Sequence, residues 1–176
     1  MNPDAYRTAT LADVDAIVQL VNHAYRPAPG AAGWTHESEL VSGDRIDQQA
    51  VRDAISKEGS IILLGIQELR IEACIQIEKT ADASYIGMLA VNPRLQGINL
   101  GKRMLAQAEA LAQTRFGSQK FILVVVSARS ELIAFYLRRG YQRTGVLMEY
   151  PLSAAVGTPK FADLKIERLE KYANAV

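Results

Sequence analysis

The sequence predicts a mixed α/β (α+β) fold forming a single domain over residues 1–176. Three observations predict it. Apolar residues at helical spacing alternate along the chain with short apolar or period-two runs. No internal repeat is visible. The 176 residues, 49% hydrophobic and 22% charged, are enough for one continuous core.

Taken in order, a short strand is expected around Tyr6–Ala9. Thr10 is then placed as an N-cap, with Asp13 giving the first turn an acidic group. Val14, Ile17, Val18, Leu20, Val21 and Ala24 recur at helical spacing, until Pro27, Pro29, Gly30 and Gly33 stop the helix. Residues 27–43 read as a long loop carrying Trp34, Thr35, His36 and Glu37; loops of that length in a compact domain are usually functional or mobile. A helix is expected from Asp44 to Lys57, ending at Gly59. Two strands follow, Ser60–Gln67 and Ile71–Glu78; the second alternates Ile71, Ala73, Ile75 and Ile77 with Glu72, Cys74, Gln76 and Glu78. Ser84–Val91 is a third strand, and Gly87 within it suggests a bulge or a close backbone approach. A polar loop, Asn92–Leu100, opens a helix over Gly101–Thr114. Phe121–Val126 reads as a buried strand, Glu131–Arg139 as a helix and Gln142–Val146 as a strand. Phe161, Leu164, Ile166 and Leu169 suggest a last strand.

Composition narrows the function classes. Twenty Lys+Arg against 19 Asp+Glu give a net charge of +1, which speaks against a protein that coats nucleic acid or an anionic membrane. One cysteine, Cys74, and two histidines, His23 and His36, exclude a disulfide framework and a multi-cysteine zinc site, so no metal is expected. Met1–Arg7 lacks the apolar core of a signal peptide, and the longest apolar runs, Ile61–Ile66 and Phe121–Val126, are far below the ~18 residues that span a bilayer. These features point to a cytoplasmic protein with no nucleic-acid or membrane partner; a homodimer is left open.

The sharpest local feature is residues 91–105, in which an apolar strand ends, a loop with Gly97 follows, and a helix starts near Gly101. The first amides of a helix lack intrahelical partners and carry the positive end of its dipole, so such a terminus suits an anion. Arg94, Lys102 and Arg103 add positive charge with no acid among them. On these residues alone, a tight strand-to-helix connection is an equal reading. The loop is neither a Walker loop nor a dinucleotide fingerprint.

The stretch Val91–Leu105 resembles motif A of the GNAT N-acyltransferase superfamily, whose signature is Q/R-x-x-G-x-G/A; here it reads Gln96-Gly97-Ile98-Asn99-Leu100-Gly101. Residues 131–141, with Phe135-Tyr136 and Gly140-Tyr141, resemble the family's motif B, and Tyr6–Tyr25 is similar to its opening strand and helix. Asn99 stands where the family most often has glycine. Asn tolerates a left-handed backbone and keeps its amide, so phosphate binding is expected to survive. Arg129 stands where many relatives carry Asn.

The resemblance implies a GNAT-like, mainly antiparallel sheet flanked by helices, with two splayed parallel strands forming an acetyl-CoA cleft. It implies an acetyl-CoA-dependent N-acetyltransferase in which the primary amine of a small molecule or peptide attacks the thioester directly. Leu89, Ala90 and Val91 would hold the pantetheine. Gln96, Gly97, Ile98, Asn99, Leu100, Gly101 and Lys102 would hold the pyrophosphate, with Phe135 and Arg138 also in contact with the cofactor. A bulge at Gly87 would aim an amide at the thioester oxygen. Tyr136 would protonate the departing thiolate, its phenol (ordinary pKa near ~10) being a competent donor at neutral pH; without the resemblance it is simply a core aromatic. Trp34, Glu37 and Tyr85 fall where relatives build the acceptor site, and Trp34 either walls that site or covers the core. Glu72, Glu37 and His36 are the candidates for a general base, although a solvated or salt-bridged carboxylate is the plainer reading of the first two and a surface histidine that of the third. Glu39, Asp44 and Asp47 make the loop locally acidic, which would suit a cationic amine. Cys74 reads as structural. The rival is a non-catalytic CoA- or acyl-CoA-binding regulatory module on the same fold, motivated by Asn99 and the missing obvious base.

Overall fold

A computed structural model describes residues 5–30 and 33–173. In chain order the strands are β1 (Ala5–Thr8), β2 (Val41–Ser42), β3 (Ser60–Gln67), β4 (Arg70–Lys79), β5 (Ser84–Val91), β6 (Lys120–Val126), β7 (Gln142–Glu149), β8 (Thr158–Pro159) and β9 (Lys165–Tyr172). The helices are α1 (Val14–Tyr25), α2 (Gln48–Ser56), α3 (Leu100–Phe116) and α4 (Ser130–Leu137). Seven strands form one sheet in the order β1-β3-β4-β5-β6-β9-β7, while β2 and β8 pair separately. All neighbours in the large sheet are antiparallel except β5 and β6. The fold is therefore mixed α+β with a mostly antiparallel sheet.

Alternation along the central strands buries both faces. Ile17 and Val21 of α1 and Val51 of α2 pack against Ile62, Leu64 and Cys74. On the other side Met104, Leu105 and Ala108 of α3 join Ile133 of α4 over Ala73, Ile75 and Ile77. Cys74, on the first of these faces, is buried, and burial pushes its thiol up to about 12, so it stays protonated and unreactive.

Two expectations shift at their edges. The helix expected from Asp44 begins at Gln48, because the Asn22 Oδ1 accepts from the amides of Arg45 (2.8 Å) and Ile46 (3.1 Å) and holds them outside it. Asp47 is the cap instead, accepting from the Ala50 amide at 2.8 Å. The last strand starts at Lys165, and Phe161 lies outside it, half-exposed. At the N-terminus Thr10 is the N-cap, as expected, and Asp13 completes a capping box, its carboxylate accepting from the Thr10 amide at 2.8 Å.

The bulge in β5 sits just beyond the glycine. Cys74 opposes Ala90 and Gln76 opposes Gly87, so Ile75 of β4 faces two residues, Met88 and Leu89. Met88 takes the left-handed conformation, at φ 51°. The extra residue reverses the alternation: Ile86 packs on the α3 side, whereas Met88 and Ala90 pack on the α1 side. Gly87 is needed for a different reason. A Cβ there would lie 2.8 Å from Cε1 of the Tyr85 ring, which covers that position.

Beside the bulge the sheet opens. β5 and β6 pair only at Ser84↔Phe121 and Tyr85↔Ile122, where Ser84 and Ser118 also share a buried hydroxyl hydrogen bond of 2.6 Å. Beyond Tyr85 the two parallel strands diverge, and the β6-facing edge of β5 has no partner strand among the described residues.

Asp13 anchors the entry to α1. Arg7 on β1 donates two hydrogen bonds to its carboxylate, at 2.8 and 2.7 Å. The Arg7 guanidinium, helped by the Thr10 amide, holds the Asp13 carboxyl down at about 2, against an ordinary 3.8. A pKa lowered by folding adds stability that is present above pH 4 and lost as pH falls toward 2. Asp13→Asn should cost about 2 kcal/mol at pH 7, and the gap from wild type should close between pH 4 and 2 in urea titrations.

Candidate active site

The loop after β5 is built by local capping. Asn92 accepts from the Arg94 amide at 3.1 Å and donates to the Glu72 carboxylate at 2.6 Å. A single tight turn over Pro93–Leu95 follows. Gly97 (φ 85°) and Asn99 (φ 67°) are then both left-handed, and α3 starts at Leu100. Asn is the residue other than glycine that adopts this conformation most readily, so the loop geometry is kept. The amides of residues 97–102 have no acceptor among the described residues. Six successive N–H groups at the positive end of a 17-residue helix form an anion cradle.

That cradle opens into a cleft of about 250 Å³ between β5, the start of α3 and α4. Leu89, Val91, Gln96, Gly97 and Asn99 line it, as do Leu100, Gly101, Lys102, Phe135 and Arg138. Two residues expected there do not. Ala90 is buried on the α1 side, and Ile98 is partly exposed outside the lining. The cleft's charged lining is Lys102, Arg129, Arg138 and Arg139, with no acid among the described residues. Arg139 stacks on the Phe135 ring, 3.5 Å from its centroid. Arg143, four residues beyond Arg139, instead pairs with Glu167 at 2.9 Å.

A second cavity of about 190 Å³ lies on the far side of the splay, lined by apolar residues of β5, β6 and β9 together with Tyr25, Tyr85 and Tyr150. Tyr25, Leu89, Leu132 and Tyr136 line both cavities. Tyr136 is thus at their junction. Burial pushes its phenol well above the ordinary range, with smaller effects from neighbouring phenols and arginines, so it stays a neutral O–H donor at every physiological pH. Burial raises Tyr25 to about 12 and raises Tyr85 as well; for both, Arg45 pulls in the opposite direction.

The acceptor-site candidates separate. Tyr85 and Glu37 line the second cavity, whereas Trp34 lines the first, its ring 6.3 Å from that of Phe135. The Trp34 amide donates to the Gln96 side-chain oxygen at 3.0 Å, and the Gln96 side-chain NH2 donates to the Val91 carbonyl at 3.3 Å. Gln96 therefore fastens the long loop to β5. Glu37 is held between Arg26 (2.8 Å) and Arg129 (3.5 Å), all three side chains being less than a tenth exposed. Arg129 also pairs with Glu131 at 3.2 Å and hydrogen-bonds Thr35. Its presence where relatives carry Asn is explained by this network. Neither Glu72, bound to Asn92, nor His36, bound to Ser38 at 2.8 Å, lines either cavity. Glu39, Asp44 and Asp47 line neither as well, so the acidic character of the loop is not the character of the cavity.

Sequence reasoning missed Tyr25, Leu132, Arg45 and Tyr150. Tyr25 ends an apolar helix face and looks like core; the others come from distant loops and from α4, with no motif to unite them.

An antiparallel sheet whose one parallel pair splays beside an amide-rich helix start is the architecture of the GNAT fold. The chain belongs to that acetyltransferase family: the profile described as Acetyltransferase (GNAT) domain matches residues 32–150. No curated protein matches it by sequence. Among solved structures it is similar to the ribosomal-protein-S18-alanine N-acetyltransferase from Escherichia coli, at 14% identity and TM-score 0.71, over 98% of this chain and 95% of that one. The ribosomal-protein-alanine N-acetyltransferase from Brucella melitensis gives 17% identity and TM-score 0.70, over 96% and 99%. The PaiA N-acetyltransferase from Thermoplasma acidophilum, solved with coenzyme A, gives 16% and 0.67, over 96% and 98%. At these identities the likeness shows the fold. Among the described residues no helix is long and apolar enough to cross a membrane, and no group of three metal-ligating side chains converges.

Removing one partner of a buried ion pair strands the others' charge. Glu37→Gln should therefore lower stability by about 3 kcal/mol, read as a shift of the urea midpoint. If Glu37 were the proton acceptor, the variant would instead keep its stability and lose the alkaline rise of its pH–rate profile.

Proposed function

We propose that the protein is an acetyl-CoA-dependent N-acetyltransferase in which a primary amine attacks the thioester directly. The observation that carries this reading is the run of unpartnered amides at 97–102, opening on the same cleft as the unpaired edge of β5. Acetyl-CoA, as cosubstrate, supplies the acyl group. The amides of 97–102 with Lys102 and Arg138 would bind its phosphates, Leu89 and Val91 would pair with the pantetheine arm, and Phe135 would pack beside it. The bulge sets Leu89 in the lining shared by the two cavities, and a backbone amide aimed from there would stabilise the charge that builds on the thioester oxygen.

The amine would enter through the second cavity, past Tyr85. Its nitrogen forms the C–N bond as the C–S bond breaks, the electron pair leaves on sulfur, and the amine gives up one proton to water. Tyr136, neutral and at the junction, donates its hydroxyl proton to the departing sulfur and regains a proton from solvent, which has taken up the one lost by the amine. With Glu37 locked between arginines, water rather than a side-chain carboxylate takes the proton from nitrogen. That same locking favours the rival reading, a CoA-binding regulatory module. Tight CoA binding without transfer to any amine of a broad panel would establish the rival.

Tyr136→Phe should lower kcat about 100-fold and leave the acetyl-CoA Kd within about twofold; wild-type turnover across pH would remove Tyr136 from the mechanism. A Cβ at Gly101 meets only ordinary contacts, 3.7 Å from Val91 and 3.8 Å from Phe135, so the fold accepts a side chain there. Gly101→Glu should weaken CoA binding at least about tenfold by setting an anion against the phosphates, as measured by calorimetry.

A further inference from the structure

The second cavity has two charged lining residues among those described, Glu37 and Arg45. Glu37 is spoken for, since Arg26 and Arg129 both bind it. Arg45 is the opposite case. Its backbone is fixed, the amide donating to Asn22, yet its guanidinium makes no ion pair or hydrogen bond among the described residues. It lies over the Tyr25 ring, 5.2 Å from the centroid, and its charge pulls on the phenols of Tyr25, Tyr85 and Tyr150 alike. The hydroxyls of Tyr25 and Tyr85 likewise have no partner among the described residues, whereas Tyr150 donates to the Val156 carbonyl at 2.9 Å. One uncompensated cation and two uncommitted phenol donors thus meet in a cavity otherwise walled by residues such as Ile86, Val125 and Ile166.

From this we infer that the acceptor amine carries a carboxylate, held by Arg45 with the hydroxyls of Tyr25 and Tyr85, and an apolar body against the β6–β9 wall. The inference rests on the acetyltransferase reading and names the substrate class of that site. A single guanidinium matches a single negative charge, and a planar fork of N–H donors matches the two oxygens of a carboxylate. A polycation is disfavoured, because the one carboxylate it would need is already neutralised twice over. Uncommitted donors in a half-buried site also penalise an acceptor that leaves them empty.

The test uses pairs of small amines that differ only in the anion: apolar α-amino acids and ω-amino carboxylates of two to six carbons, each against its carboxamide. Wild type should acetylate the carboxylate member of at least one pair with kcat/KM at least about tenfold higher. Arg45→Ala should erase that preference by raising the acceptor KM, leaving acetyl-CoA affinity unchanged, and Arg45→Lys should restore part of it. Equal or better turnover of the carboxamides by wild type overturns the inference without use of any variant, as does an Arg45→Ala protein that binds acetyl-CoA and keeps the preference. Transfer to neither member of any pair overturns this inference alone, and the acetyltransferase reading falls with it only when the broad amine panel is also left unacetylated while acetyl-CoA binds.

Discussion

Two parallel strands that begin as neighbours and then separate create an unusual problem for a sheet, since the edge of β5 beyond Tyr85 has backbone groups and no partner strand to meet them. Such groups are costly to bury and invite an extended ligand to complete the ladder. Everything at the site depends on that divergence. The hydroxyl pair of Ser84 and Ser118 pins the strands at one end, and the bulge opposite Ile75 turns β5 away at the other. Because the bulge also reverses which face each residue presents, Ala90 can be core while Val91, its neighbour, lines the cleft. α3 then starts where β5 ends, so its free amides open into the gap itself.

A second constraint holds the long loop in place. Glu37 bridges Arg26, just past α1, and Arg129, just before α4, while Gln96 ties the Trp34 amide to the phosphate-type loop. These contacts set Trp34 in the lining of the first cleft, while Asn22 holds the backbone of Arg45 beside the second cavity. One side of the splay therefore carries four bases and no acid among its described lining residues, and the other carries one effective positive charge. That division suits a polyanionic cosubstrate on one side and a singly charged acceptor on the other.

Much of this was legible in the chain. The 3.6-residue period of α1, the apolar run of β6 and the ordered motif residues from Gln96 to Gly101 gave element types, order and the anion loop. The left-handed backbone of Asn99 could be read because its departure from glycine is a local, conformational matter. What stayed hidden was long-range pairing. Charges in residues 37–47 look like an acidic patch in sequence, but Glu37 is neutralised by two arginines from outside it, one of them 92 residues away. Glu72 could be read as solvated, paired or a base, and its actual partner, Asn92, lies 20 residues on. Helix starts moved for the same reason: Asn22, far upstream, captures the amides that would have opened α2 early.

The central claim is that the unpartnered amides of residues 97–102 bind the phosphates of acetyl-CoA beside the splayed strands. Residue-resolved amide hydrogen exchange, with and without saturating acetyl-CoA, tests it most directly. Free amides exchange readily and hydrogen-bonded ones slowly. Protection at 97–102, together with the Leu89 and Val91 region of β5, should rise at least about tenfold. Unchanged exchange at those amides, with calorimetry showing acetyl-CoA bound, would contradict the account.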